Sequence, residues 1–359
     1  MSPETSAKVE LIRSMIAEKG LEGIVVNEQV NLAWLTGGRF FVNSASTTGV
    51  GSIWIGLERT ELIVNNIEGE RLWQEEGAGD VCDAFQTYPW YEEEQRNRLI
   101  KERINGLTVS TDQSWSEEFL ALRLNLTLRE QQRYRELGRS AGEAVESAAR
   151  EFVPGESEYQ VAARLARAAM ERGMEPIVCL VGGDERTKLR RHPLPTTHKI
   201  DKYALLVLSG RRWGLVASVS RAVYFGRIPA ELTLKQQAVN QVDAAYLAAS
   251  RPGATLGEVF RAGQEAYARL GYKGEWQYHH QGGLAGYQTR EVKATAQTGR
   301  ILAVGQALAW NPTLQGTKAE DTVLVGENGL EVLTATGLFP TEKIDISGQS
   351  FYRPLILER

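Results

Sequence analysis

Cysteine is nearly absent from this chain. Its two thiols, Cys82 and Cys179, lie far apart in 359 residues and supply no disulfide framework, so both are expected to be reduced and the protein cytoplasmic. No apolar run approaches the ~18 residues of a membrane span, and the start, Met1-Ser2-Pro3-Glu4-Thr5, has no signal-peptide core. Neither sign of charge dominates: 41 Lys and Arg face 45 Asp and Glu, a formal net charge of −4. With a pI near 5.8, the chain lacks the basic footprint of a nucleic-acid binder. Histidine is scarce as well, at four residues, which makes the placement of each one informative.

What is there is ordinary for a globular protein: 42% apolar and 24% charged residues, in a chain long enough for two domains with substantial cores. Residues 6–20 read as an amphipathic helix, 23–27 as a buried strand, and 52–55 and 61–64 as two further strands around a turn. Helix and strand alternate to about residue 110, which predicts a small α/β layer domain over 1–125. Thr127-Leu128-Arg129-Glu130 reads as a helix start, with Thr127 as cap and Glu130 three residues on, so a second domain is expected over 126–359. There, Pro154-Gly155 breaks the first helix and 157–172 forms the next. Strands are expected at 204–208, 215–224, 307–311, 322–325 and 331–334, the content of an antiparallel α+β domain. No internal repeat stands out.

The chemistry lies in four motifs. Val207 and Ser218 stand eleven residues apart in two apolar runs, with Ser220-Arg221 close behind. His279-His280-Gln281-Gly282-Gly283 leads to Arg290-Glu291, Trp310-Asn311-Pro312 follows, and Lys318-Ala319-Glu320-Asp321-Thr322 closes the series. This order resembles the creatinase, aminopeptidase P and prolidase family, whose fold is called pita-bread. The resemblance implies a pita-bread catalytic domain preceded by a smaller creatinase-type α/β domain. It also implies a dinuclear metal site whose ligand positions fall on Val207, Ser218, Gly283, Asn311 and Glu320.

Only Glu320 is a ligand-type side chain. Valine and glycine donate nothing, serine and asparagine are weak neutral donors, and two adjacent ions need bridging carboxylates to offset their repulsion. The sequence therefore predicts no metal and no cofactor at this site. The ionisable residues left in the matched segments are His279, His280, Glu291 and Glu320 as candidate catalytic groups. Arg290, His192, Asn311 and Arg39 are candidate substrate contacts. Within the family the creatinase branch also carries an Arg-Glu step and works without metal, using a histidine to move the proton.

Three readings follow. The first is a metal-independent hydrolase of a C–N bond in a small amide, amidine or dipeptide-like molecule. The second is a pseudo-enzyme that keeps the pocket for ligand or protein binding, and the third a metal-dependent Xaa-Pro peptidase. Retention of several ionisable groups in one expected pocket favours the first. Resemblance to family dimers implies a homodimer, with the Trp34 to Arg39 segment of one copy near the other's pocket; neither membrane nor nucleic acid is expected as a partner.

Overall fold

The computed structural model describes residues 3–359; Met1 and Ser2, part of the segment read for a leader, lie outside it. The chain divides into two compact units, one ending at Thr127 and the other running Leu128–Arg359. No helix among the described residues is long and apolar enough to cross a membrane.

The first unit is built on strands β1 (Gly23–Glu28), β2 (Thr48–Gly56), β3 (Thr60–Asn65), β4 (Ala84–Tyr88) and β5 (Val109–Thr111), in the order β4-β3-β2-β1-β5. The central pairs are antiparallel and the two flanking pairs parallel. Ile24, Val25 and Val26 are all buried, as in a strand covered on both faces. The helix Pro3–Glu18 turns Val9, Ile12 and Ile16 inward at three- and four-residue spacing. It starts three residues ahead of the expected position because proline suits a first turn, where its missing N–H is not needed.

The second unit contains β6 (Glu175–Gly183), β7 (Tyr203–Arg212), β8 (Leu215–Tyr224), β9 (Gly282–Ala285), β10 (Val292–Lys293), β11 (Ala307–Trp310), β12 (Thr313–Leu314), β13 (Thr317–Lys318), β14 (Asp321–Gly326), β15 (Gly329–Val332), β16 (Thr341–Ile346), β17 (Gln349–Pro354) and β18 (Ile356–Glu358). One sheet runs β18-β8-β7-β6 and another β10-β9-β11-β14-β15, with β12–β13 and β16–β17 as hairpins. All pairs are antiparallel except β18 with β8. Strand β7 outruns its expected end at 208 because Ser209, polar but buried, hydrogen-bonds Ser218 across the ladder at 2.9 Å. The last expected strand, 331–334, is displaced to β15, where Gly326 and Gly329 pair around a tight turn.

Two helix pairs flank these sheets. Leu128–Glu151 packs with Glu158–Met170 and lies on β7 and β8, while Ala230–Ala249 packs with Leu256–Arg269. The second helix of each pair opens in the same way. Ser157 caps Gln160 and is capped back by it, and Thr255 and Glu258 repeat this reciprocal bonding. Each cap follows a Pro-Gly step, Pro154-Gly155 and Pro252-Gly253, with both glycines left-handed, and each forms an isolated bridge to a later residue, Lys199 and Ile301. This internal two-fold likeness was not read from the sequence, although the spacing Pro-Gly-x-Ser/Thr-x-x-Gln/Glu carries it.

Candidate active site

Residues from both sheets of the second unit line a cavity of about 170 Å³. Alternation along each strand decides which side chains enter it: Val178 and Leu180 from β6, Val207 and Ser209 from β7, and Ser218 from β8. The other sheet and its loops contribute His280, Thr289, Arg290, Lys293, Asn311, Lys318 and Glu320, and the loop after β6 brings His192.

Glu320 organises the charges. Its Oε1 accepts from Arg290 Nη2 at 2.9 Å; its Oε2 accepts from Ser220 Oγ at 2.7 Å and lies 2.7 Å from Lys318 Nζ. Burial opposes ionisation of this carboxyl, but the charges of Lys318 and Arg290 and the hydrogen bonds from Lys318 and Ser220 outweigh it and hold its pKa far below the usual range. Burial also lowers the Lys318 pKa, against the attraction of Glu320. Lys318 is only 4% exposed, so this side chain is part of the site. Its signal was the Lys318-Ala319-Glu320 alternation, which puts both charged groups on one side of extended backbone.

The histidines gather at the cavity's edge. His279 Nε2 lies 2.9 Å from His192 Nε2, and the His279 and His280 rings stack with centroids 4.6 Å apart. One ligand atom from each of His192, His279 and His280 falls within 4.8 Å of the others, a donor set of the kind late transition metals use, although Arg290, Lys293 and Lys318 place positive charge nearby. His280 lines the cavity, while His279 sits behind it. Burial, then Arg290, depresses the His280 pKa to about 4. Burial, then Lys318, His280 and His192, brings His279 to about 2.

A histidine whose folded pKa lies below its unfolded value of ~6.5 binds fewer protons when folded, so its contribution is intact above that pH and is lost as the pH falls. For His279 the loss between pH 7 and pH 5 is on the order of 2 kcal/mol. His279→Gln should therefore lose correspondingly less stability over that interval in denaturant titrations. Equal losses in both proteins would rule this out.

The remaining expected site residues divide. Asn311 lies in the cavity, 2% exposed, and its Oδ1 has no partner. Glu291 is outside the lining; its Oε1 accepts from the Tyr287 backbone N–H at 3.0 Å and ties together the loop that carries Arg290. Arg39 belongs to the first unit, where its Nη2 contacts Glu76 Oε1 at 2.8 Å, and Trp34 is core, 2% exposed. His198, which is outside the candidate set, pairs with Asp184 at 3.2 Å. Ser209, Thr289 and Lys293 belong to no motif read from the sequence, and Ser220, part of the first motif, had no role assigned to it.

The ligand positions of the resembled family show a further constraint. Gly283 has φ of 144°, and a Cβ built there would fall 2.0 Å from the Val292 carbonyl oxygen. The backbone of β10 thus closes this position to any side chain. Val207 is apolar, Ser218 is bonded to Ser209 and accepts a long contact of 3.5 Å from Arg290 Nη1, and Asn311 is a neutral amide.

Fold and cavity together define a two-sheet α+β domain of the pita-bread class. The sequence model of metallopeptidase family M24 matches residues 132–327, and the chain belongs to that family. The prolidase of Pyrococcus horikoshii OT3 is similar in structure, with a TM-score of 0.76 at 18% identity over 92% of this chain and 98% of the prolidase. The X-Pro aminopeptidase of Thermotoga maritima MSB8 gives 0.76 at 16% identity, over 98% and 99%. At such identities the likeness concerns the fold. A curated relative, the agropine synthesis cyclase of Rhizobium rhizogenes, is 31% identical over 209 residues, 51% of this chain and 52% of the cyclase. The chain thus spans about half the length of that relative.

Proposed function

We propose that this protein is a metal-independent hydrolase acting on a C–N bond of a small amide, amidine or dipeptide-like molecule. One observation carries the proposal: each oxygen of Glu320, the one ligand-type side chain kept, is occupied by a protein cation, Arg290 on one and Lys318 on the other. A dinuclear centre would have to displace both and would find no further carboxylate at Val207, Ser218, Gly283 or Asn311.

In this reading the chemistry falls to His280. Its ring is neutral at pH 7 and accepts a proton from water as the water oxygen attacks the acyl or amidine carbon. The proton then passes to the leaving nitrogen as the C–N bond breaks. Glu320, saturated by its partners, anchors the two cations rather than taking a proton. Arg290, held by Glu320 and by the Thr289 carbonyl at 2.5 Å, orients the substrate, with Asn311 and His192 as further contacts; His279 supports His280.

The cyclase relative favours a second reading in which a nucleophile of the substrate's own replaces water, with the same demand on His280. Product analysis separates the two, since hydrolysis adds water to the product and ring closure does not. For either, elemental analysis of the purified protein should find no stoichiometric metal, and turnover of a small-amide panel should survive chelation. Two tightly held metals per chain, lost together with activity, would overturn the proposal.

A further inference from the structure

The charged residues lining the cavity do not balance. Arg290 and Lys318 are buried cations and Glu320 is the one buried anion of the lining, which leaves one buried positive charge in excess, with solvent-exposed Lys293 adding a second at the rim, while His279 and His280 are neutral at pH 7. Glu320 cannot serve a cationic ligand, because both its oxygens are engaged. An ammonium carries three donors, and Lys318, 4% exposed, directs one to Glu320. Asn311, 2% exposed, lines the same space with Oδ1 unpartnered. A buried carboxamide offers one acceptor and two donors, the complement of another amide.

We propose that the cavity takes its substrate as an anion: a small molecule carrying both a carboxylate, held by Lys318, and an amide, paired with Asn311. This rests on the reading of the cavity as a C–N hydrolase site and names the substrate class for it. Desolvated charge pairs are strong, so the carboxylate decides affinity and the amide decides which bond lies beside His280. Neutral amides of equal size are excluded because they offer no anionic acceptor to the two Lys318 donors that Glu320 does not take.

The test uses the full chain in chelator at fixed ionic strength, with three four-carbon probes: succinamate, succinate and the uncharged succinamide. Calorimetry and thermal shift should show succinamate binding most tightly, succinate next and succinamide not at all. Lys318→Met should weaken succinamate binding about ten- to a hundredfold, the range for a hydrogen bond to a charged group. Asn311→Asp, which keeps size and adds a like charge, should do the same and carries the test if Lys318→Met does not fold. Succinamide binding as tightly as succinamate, no binding of any probe, or unchanged binding in the variants would overturn the proposal. Failure here is separable from failure of the hydrolase reading. Turnover of a neutral amide without anion binding removes only this inference. Anion binding without hydrolysis of any amide in the panel removes only the hydrolase.

Discussion

His280→Ala is expected to lower kcat by about 10² to 10⁴, the usual share of a positioned proton carrier, with little change in melting temperature. The ring lines the cavity and its Nδ1 is buried without a partner, so its removal costs few native contacts. His279 differs: it sits behind His280 against His192, with the two Nε2 atoms 2.9 Å apart. His279→Ala should therefore act through the placement of His280, lowering kcat less. Arg290→Ala should raise KM, since it removes a binding contact and the partner of Glu320 together. Initial rates of amine release on a hydrolysed substrate, measured beside thermal melts, decide the matter. Full turnover in His280→Ala would reject the mechanism.

The largest effect on stability should come from a residue that never meets substrate. Arg353, 1% exposed on β17, has Nη2 2.6 Å from both Asp243 Oδ2 and Asp321 Oδ2. Asp321 is also bonded by Arg221 at 3.0 Å and by Thr334 Oγ1 at 2.6 Å, and Arg221 continues to Glu146 at 3.5 Å. Arg353→Met leaves two buried carboxylates short of a counter-charge, a change that typically costs 3–5 kcal/mol, or ~4 here. Arg135→Met, which breaks an ion pair with Glu331 whose partners are both nearly half exposed, should cost no more than ~1 kcal/mol.

The Arg353 loss should depend on pH. Burial raises the Asp243 pKa to about 6 against the opposing charge of Arg353, and without that arginine it rises further. A carboxyl with a raised folded pKa holds more protons when folded, so its stability contribution is present at low pH and lost as the pH climbs through the folded pKa. The deficit of Arg353→Met should thus be larger at pH 8 than at pH 5 in denaturant titrations. A deficit below 1 kcal/mol at both would show that the network carries little.

Local pattern was enough for much of this protein. The apolar runs that became β1, β7 and β8, the helix break at Pro154-Gly155 and the eleven-residue spacing of Val207 and Ser218 depend on neighbours in the chain, and the family resemblance rested on them. Element ends were less legible, because Ser209 and Gly210 look like a strand's end until Ser218 is seen across the ladder. The repeated Pro-Gly capping turn is present in the residues but does not stand out, because the two copies share little else.

The site itself was half legible. The side chains at the ligand positions that the resemblance implies could be counted in one dimension, but the closure of Gly283 by the Val292 carbonyl is a contact between strands and has no signature in either segment. Charge shows the same division. Sequence named Glu320 and Arg290 without their bond, offered Glu291 on equal terms, and gave Lys318 a place in the last motif but no role. Burial decided among them, since taking a charge out of water is tolerated only where a counter-charge meets it, and that meeting depends on how β13 and the loop after β9 converge. The residues available for chemistry were set by the sequence alone; which of them are desolvated, paired and left with free donors was decided by tertiary packing.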